Sequence, residues 1–163
     1  MREPAGDGHR GVTEHTPPTF DLTVPIDRPP EAVFAFLSDV QDAEPIPRSA
    51  SVRMVKDPAG PTAVGTRWHE QVRLVPGCWL HVESVVTQVD EPRRLGMDFR
   101  TRWFTGHLDY EIEGVGAACV LHQRETLVMR WPLRWLAPAL ERQLERHLVQ
   151  RLQDIRVLLE APA

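Results

Sequence analysis

The amino-acid sequence predicts an α+β domain: a curved antiparallel sheet of seven strands wrapped around one long C-terminal helix, with one or two short helices after the first strand. Three observations carry this expectation. From Gly65 to Met129, about sixty residues alternate between apolar and polar positions, the period of strands that bury one face. From Leu140 onward, apolar residues recur every three or four positions, the period of a helix with one covered stripe. The strands precede this helix rather than alternating with helices, which favours an antiparallel sheet covered on one side. Such a pair of layers can hold a pocket between them, so functional residues are sought on the concave face.

Taken in order, Phe20, Leu22, Val24 and Ile26 alternate with Asp21, Thr23 and Pro25, and Pro25 places this first strand near a sheet edge. Pro29 and Pro30 pre-set the first turn of a short helix that ends near Asp39, with Val33, Phe36 and Leu37 on one face. Asp42 to Arg48, broken by Pro45 and Pro47, is a linker into a strand over Ser51 to Lys56. Pro58, Gly60 and Pro61 form a turn cluster. In the next strand Thr66, Trp68, Glu70, Val72 and Leu74 share one face, and Arg67, His69, Gln71 and Arg73 share the other. Pro76-Gly77 turns the chain into a strand from Trp79 to Asp90 with two competing apolar sets, Leu80/Val82/Val86 and Trp79/Val85/Val89. A β-bulge would reconcile them. Leu95, Met97 and Phe99 mark another strand, and Leu108, Tyr110 and Ile112 the inward face of the one after it. The last strand, Cys119 to Met129, has two possible phases. Taking Val120 as inward places His122, Arg124 and Thr126 inside, while Leu121 and Leu127 compete for the same face. Pro132 and Pro138 break Trp131 to Ala139, an apolar entrance to a helix whose stripe is Leu144, Leu148, Leu152, Ile155 and Leu159.

Composition narrows the function classes. A chain of 163 residues with 42% hydrophobic content can bury a core as one domain, here residues 19–160. Residues 1–18 lack periodicity and are rich in Gly, Pro, Thr, His and charge, so they are expected to form a disordered tail. A formal charge of −4, with arginines interleaved among acids, provides no basic footprint for nucleic acid. No apolar run approaches the roughly 20 residues of a membrane span, and no signal-peptide core is present. Cys78 and Cys119 have no CxxC spacing and read as reduced thiols of a cytoplasmic protein. The sequence leaves a homodimer open.

The segments Val24-Pro25-Ile26-Asp27-Arg28-Pro29-Pro30-Glu31-Ala32-Val33-Phe34, Gly65-Thr66-Arg67-Trp68 and Val86-Thr87-Gln88-Val89-Asp90-Glu91-Pro92-Arg93-Arg94-Leu95, followed by the arginine-rich terminal helix, form a recognisable series. In order and spacing this series, covering Thr19 to Glu160, resembles the START-like helix-grip (SRPBCC) superfamily and, more narrowly, its polyketide cyclase/dehydrase-type members. The resemblance implies a cavity for an apolar or polycyclic ligand between sheet and terminal helix. Cyclases, aromatases, lipid and hormone carriers and quinone-binding proteins share this fold, so the fold alone does not fix an activity. The chain departs from many relatives after the first short helix, where they carry an aromatic residue and it has Glu44-Pro45-Ile46-Pro47.

Within that frame Glu70 is the foremost candidate for chemistry. It is a carboxyl flanked by Trp68, Val72 and Leu74, where desolvation would disfavour its charged form and suit it to acid–base work. A hydrated or arginine-paired carboxylate is the plainer alternative. With His122 inward, its imidazole could remove a proton beside a ketone while Arg124 holds the developing enolate; the alternative is a structural pair. The hydroxyl of Tyr110, the only tyrosine, could orient a ligand oxygen. Trp68, Val72, Met97, Phe99 and Leu108 would supply the apolar lining. His69, His81 and His107 lie on separate strands and His9 and His15 in the tail, so no metal site is expected. No phosphate-loop, dinucleotide or nucleophile-elbow motif is present, and no cofactor is implied. The expected partner is therefore a hydrophobic, ring-containing or polyketide-like small molecule. The alternatives are a lipid or quinone carrier and a protein-interaction module using the Trp131 to Leu136 surface.

Overall fold

The computed structural model describes residues 17–39, 51–75, 78–130 and 137–161. The elements are β1 (Thr19–Ile26), α1 (Pro30–Ser38), β2 (Ser51–Asp57), β3 (Arg67–Val75), β4 (Cys78–Asp90), β5 (Arg94–Arg100), β6 (Phe104–Val115), β7 (Ala118–Met129) and α2 (Ala137–Glu160). The predicted α+β helix-grip architecture is present, with one short helix after β1 among the described residues. The tail, the linker around Pro45 and Pro47, and the Trp131 to Leu136 segment lie outside the described residues.

All seven strands form one antiparallel sheet in the order β1-β7-β6-β5-β4-β3-β2. Strands β2 to β7 run as a meander, and β1 joins it beside β7, leaving β1 and β2 at the edges. Pro25, which cannot donate to a ladder, accordingly sits in an edge strand. Helix α1 opens with Pro30 in its first turn and buries Val33, Phe34 and Leu37. Helix α2 buries Leu148, Leu152 and Ile155, with Leu144 and Leu159 packed beside them.

The C-terminal end of α2 is latched to the β1–α1 junction. Arg28 Nε donates to the Leu159 carbonyl at 2.6 Å and Arg28 Nη2 to the Ala161 carbonyl at 3.2 Å. The Asp27 amide donates to Glu160 Oε1 at 2.9 Å. A cation on the last carbonyls satisfies acceptors that have no partner within the helix and complements its dipole.

Two strands decide what faces the interior. In β4 the pairing with β5 shifts between Val86 and Gln88, a bulge that lets both competing apolar sets contribute. Leu80, Ser84 and Val86 are buried before the shift, Val89 packs on the core after it, and Trp79 is left 51% exposed. In β7 the structure corrects the phase that placed His122, Arg124 and Thr126 inside. The buried face is Cys119, Leu121, Gln123, Glu125 and Leu127. Burying two leucines contributes about 1.5–3 kcal/mol each. The opposite phase would forfeit that and desolvate an arginine as well.

One glycine shapes the inner surface. A Cβ on Gly106 of β6 would lie 2.3 Å from Phe99 Cζ and 2.3 Å from the Thr126 carbonyl oxygen. Its missing side chain lets the Phe99 ring of β5 lie against β6, where it packs edge-to-face on Phe104.

Candidate functional site

Between the concave sheet face and α2 lies a cavity of about 130 Å³. One water needs roughly 10–15 Å³ of such space, so the chamber holds about ten times the room of a single ordered water. Met97 and Phe99 of β5 with Phe104 and Leu108 of β6 form the apolar floor, Phe36 and Leu37 of α1 a wall, and Leu144, Leu148 and Ile155 of α2 the roof. The sheet's curvature and the rigid strands hold these groups apart. The leucine ridge of α2 covers the bowl without filling it.

Besides Ser84 of β4 and His147 of α2, the polar side chains that border this apolar setting are Glu70 of β3, Tyr110 of β6, Glu125 of β7 and Arg151 of α2. Arg151 Nη1 stands 3.9 Å from Glu70 Oε1, too long for a hydrogen bond but close enough for ion pairing. The Gln123 amide donates to Glu125 Oε2 at 3.2 Å. Desolvation pushes the Glu125 carboxyl up to about 7, against the opposing pull of Arg151 and Gln123, with Glu70 adding a smaller upward push. Burial likewise raises the Tyr110 hydroxyl above its usual range. The charge of Glu70, outweighing desolvation, raises Arg151 still further and keeps it cationic. Trp68 Nε1, Glu70 Oε1, Gln123 Oε1 and Arg151 Nε are buried without a hydrogen-bond partner.

The structure brings together Glu70, Trp68, Val72, Met97, Phe99, Leu108 and Tyr110, all bordering the cavity. His122 and Arg124 lie elsewhere, on the outer face of the sheet. His122 Nδ1 is 3.3 Å from Thr23 Oγ1 and its Nε2 is 3.6 Å from Glu113, while Arg124 Nε donates to Asp21 Oδ1 at 2.7 Å. Neither reaches the cavity.

Sequence reasoning missed Glu125, Arg151 and His147. The signal for Glu125 was the Leu121/Leu127 phase, which carries position 125 inward with it. Arg151 stands three residues after Leu148 and four before Ile155, squarely on the buried stripe. Among the described residues no group of three or more His, Cys, Asp or Glu side chains is placed to hold a metal ion, and no helix is long and apolar enough to cross a membrane.

Solved structures share this architecture at low sequence identity. Protein TTHA0849 from Thermus thermophilus superposes with a TM-score of 0.74 at 15% identity, over 89% of this chain and 100% of that one. The Zhui aromatase/cyclase of a Streptomyces strain gives a TM-score of 0.74 at 16% identity, over 88% and 93% of the two chains. A START superfamily protein from Mycobacterium smegmatis gives 0.60 at 15% identity, over 84% and 98%. No curated protein matches in sequence. The family described as "Polyketide cyclase / dehydrase and lipid transport" matches over residues 17–160, and with the seven-stranded grip around α2 this places the chain in that family.

Proposed function

We propose that this protein binds a hydrophobic, ring-containing or polyketide-like small molecule in the cavity between sheet and α2. The observation that carries the reading is the cavity itself: an apolar chamber that retains open volume and holds a few convergent polar groups, the composition of a small-molecule site rather than of a filled core. The apolar walls would supply affinity through burial, and Tyr110, Glu70, Glu125 and Arg151 would fix orientation.

Native mass spectrometry of freshly purified protein tests this reading. The expected result is a bound small molecule that is lost from a variant with Val72→Trp, which fills the chamber. Retention of the same adduct by that variant, shown to be folded, would place binding outside the cavity and overturn the reading.

A second reading, turnover of the ligand, is favoured by one observation. A carboxyl poised at about 7 beside a fixed cation matches what a general acid–base needs at neutral pH. Glu125 would exchange the proton, as was expected of Glu70 from the sequence, and Arg151 would polarise a carbonyl. An enzyme converts a diketide or longer polyketide chain and loses this on Glu125→Gln with binding retained, whereas a lipid or quinone carrier returns its ligand unchanged.

A further inference from the structure

The polar groups of the cavity do not balance in charge. Among the described residues that border it, Glu70 and Glu125 are acids and Arg151 is the one permanent cation. The groups facing Glu125 are Glu70 from β3, Tyr110 from β6, Arg151 from α2 and its own neighbour Gln123 on β7. His147 of α2 also borders the cavity, with its Nε2 3.3 Å from the Gln143 side-chain amide nitrogen. Arg151 is drawn first to Glu70. Glu125 is left with one neutral amide donor, and Glu70 Oε1 and Gln123 Oε1 are buried with none. A ligand carboxylate or phenolate here would add a third anion against one cation. A ligand that brings a positive charge would supply what is missing.

We propose that, among ring-containing ligands, the cavity prefers those bearing a basic nitrogen, whose ammonium pairs with Glu125 while the ring lies on Phe99, Phe104 and Leu108. This rests on the small-molecule reading above and narrows it. Binding of the protonated amine leaves its N–H bonds intact and forms a charge-assisted hydrogen bond to the carboxylate. The proton that a neutral Glu125 carried passes to the buffer, so association releases protons and weakens as the solution becomes acidic.

Isothermal titration with three probes of one shape decides the matter: 2-naphthylmethylamine, 2-naphthalenemethanol and 2-naphthoate. The amine is expected to bind at least about tenfold more tightly than the other two at about pH 7.5, the span that one unscreened ion pair provides. Because Glu125 titrates at about 7, that preference should shrink roughly tenfold or more by about pH 5.5. At neutral pH the amine's apparent enthalpy should vary between buffers in the sense of proton release. Glu125→Gln should reduce amine affinity at least about tenfold more than alcohol affinity and remove the buffer dependence. Equal or tighter binding of the alcohol or the naphthoate overturns the proposal while leaving a cavity that binds rings. Failure of all three probes to bind overturns the small-molecule reading with it.

Discussion

Glu125 is the side chain on which the proposed ligand chemistry and the pH dependence of stability both turn. Its carboxyl titrates at about 7 in the folded protein instead of the ordinary 4.5. Between those values the folded chain keeps a proton that the unfolded chain has released, so stability falls as pH rises through this window and remains lower above it. The effect is on the order of 3 kcal/mol. Urea unfolding should therefore show Glu125→Gln gaining on the wild type between about pH 5 and pH 8; parallel stability curves would contradict the assignment. Arg151 poses the complementary case. Arg151→Met strands Glu70 and should destabilise by about 3–5 kcal/mol, and adding Glu70→Gln should recover most of that loss in a double-mutant cycle. Additive losses would mean that the two do not interact. Glu70 was legible from the sequence because β3 alternates cleanly, with Arg67, His69 and Gln71 outside and Trp68 and Val72 beside it. Glu125 was not, because β7 offers apolar residues in both phases and only the pair Leu121 and Leu127 breaks the tie. His122 and Arg124 looked catalytic for the same reason, and their outer-face pairing with Glu113 and Asp21 is what exposed polar residues do on a strand with one covered face.

At the scale of elements, strand order and the long helix were readable because their periods differ and because turns rich in proline and glycine separate them. The bulge in β4 was foreshadowed by two apolar sets of opposite phase. Its position between Val86 and Gln88 was not, since it depends on pairing with β5 rather than on β4 alone. The Arg28 latch was invisible for a related reason: its acceptors are backbone carbonyls at the far end of the chain. The part-buried bond from Arg28 Nε contributes up to roughly 1.5–3 kcal/mol, and the exposed one to Ala161 less. Arg28→Ala should accordingly speed hydrogen exchange in the last turns of α2 while leaving the protection of β6 and β7 unchanged. Uniform loss of protection across the sheet would show that the latch holds more than the helix end. Gly106 makes a second test at this scale. Gly106→Val would drive a side chain into Phe99 and the Thr126 carbonyl, so it should lower both stability and probe affinity. The same substitution at Gly60, where the space is open but φ is +116°, should cost stability without touching affinity.

For the whole molecule the decisive fact is that a sheet of seven strands closes on one helix without closing up. The family match and the shared architecture give the fold, and the contents of the chamber give this chain its own chemistry, with two acids, one arginine and one tyrosine among apolar walls. The sequence predicted a chamber and, on its sheet side, Trp68, Glu70, Val72, Met97, Phe99, Leu108 and Tyr110. The roof's contribution was hidden because an arginine on a leucine stripe reads as a solvated residue until the stripe's width is drawn. A ligand that binds only the folded protein stabilises it by about 2.7 kcal/mol at a hundredfold excess over its Kd. For a chain of this size that amounts to a rise of roughly 5–10 °C in Tm.

The most direct test is titration of 2-naphthalenemethanol into the wild type and into Leu108→Trp, with Val72→Trp as a second filled chamber and circular dichroism to confirm that each variant is folded. The chamber account predicts saturable one-to-one binding to the wild type and at least about tenfold weaker binding to both variants. Equal affinity in folded, filled variants would contradict it.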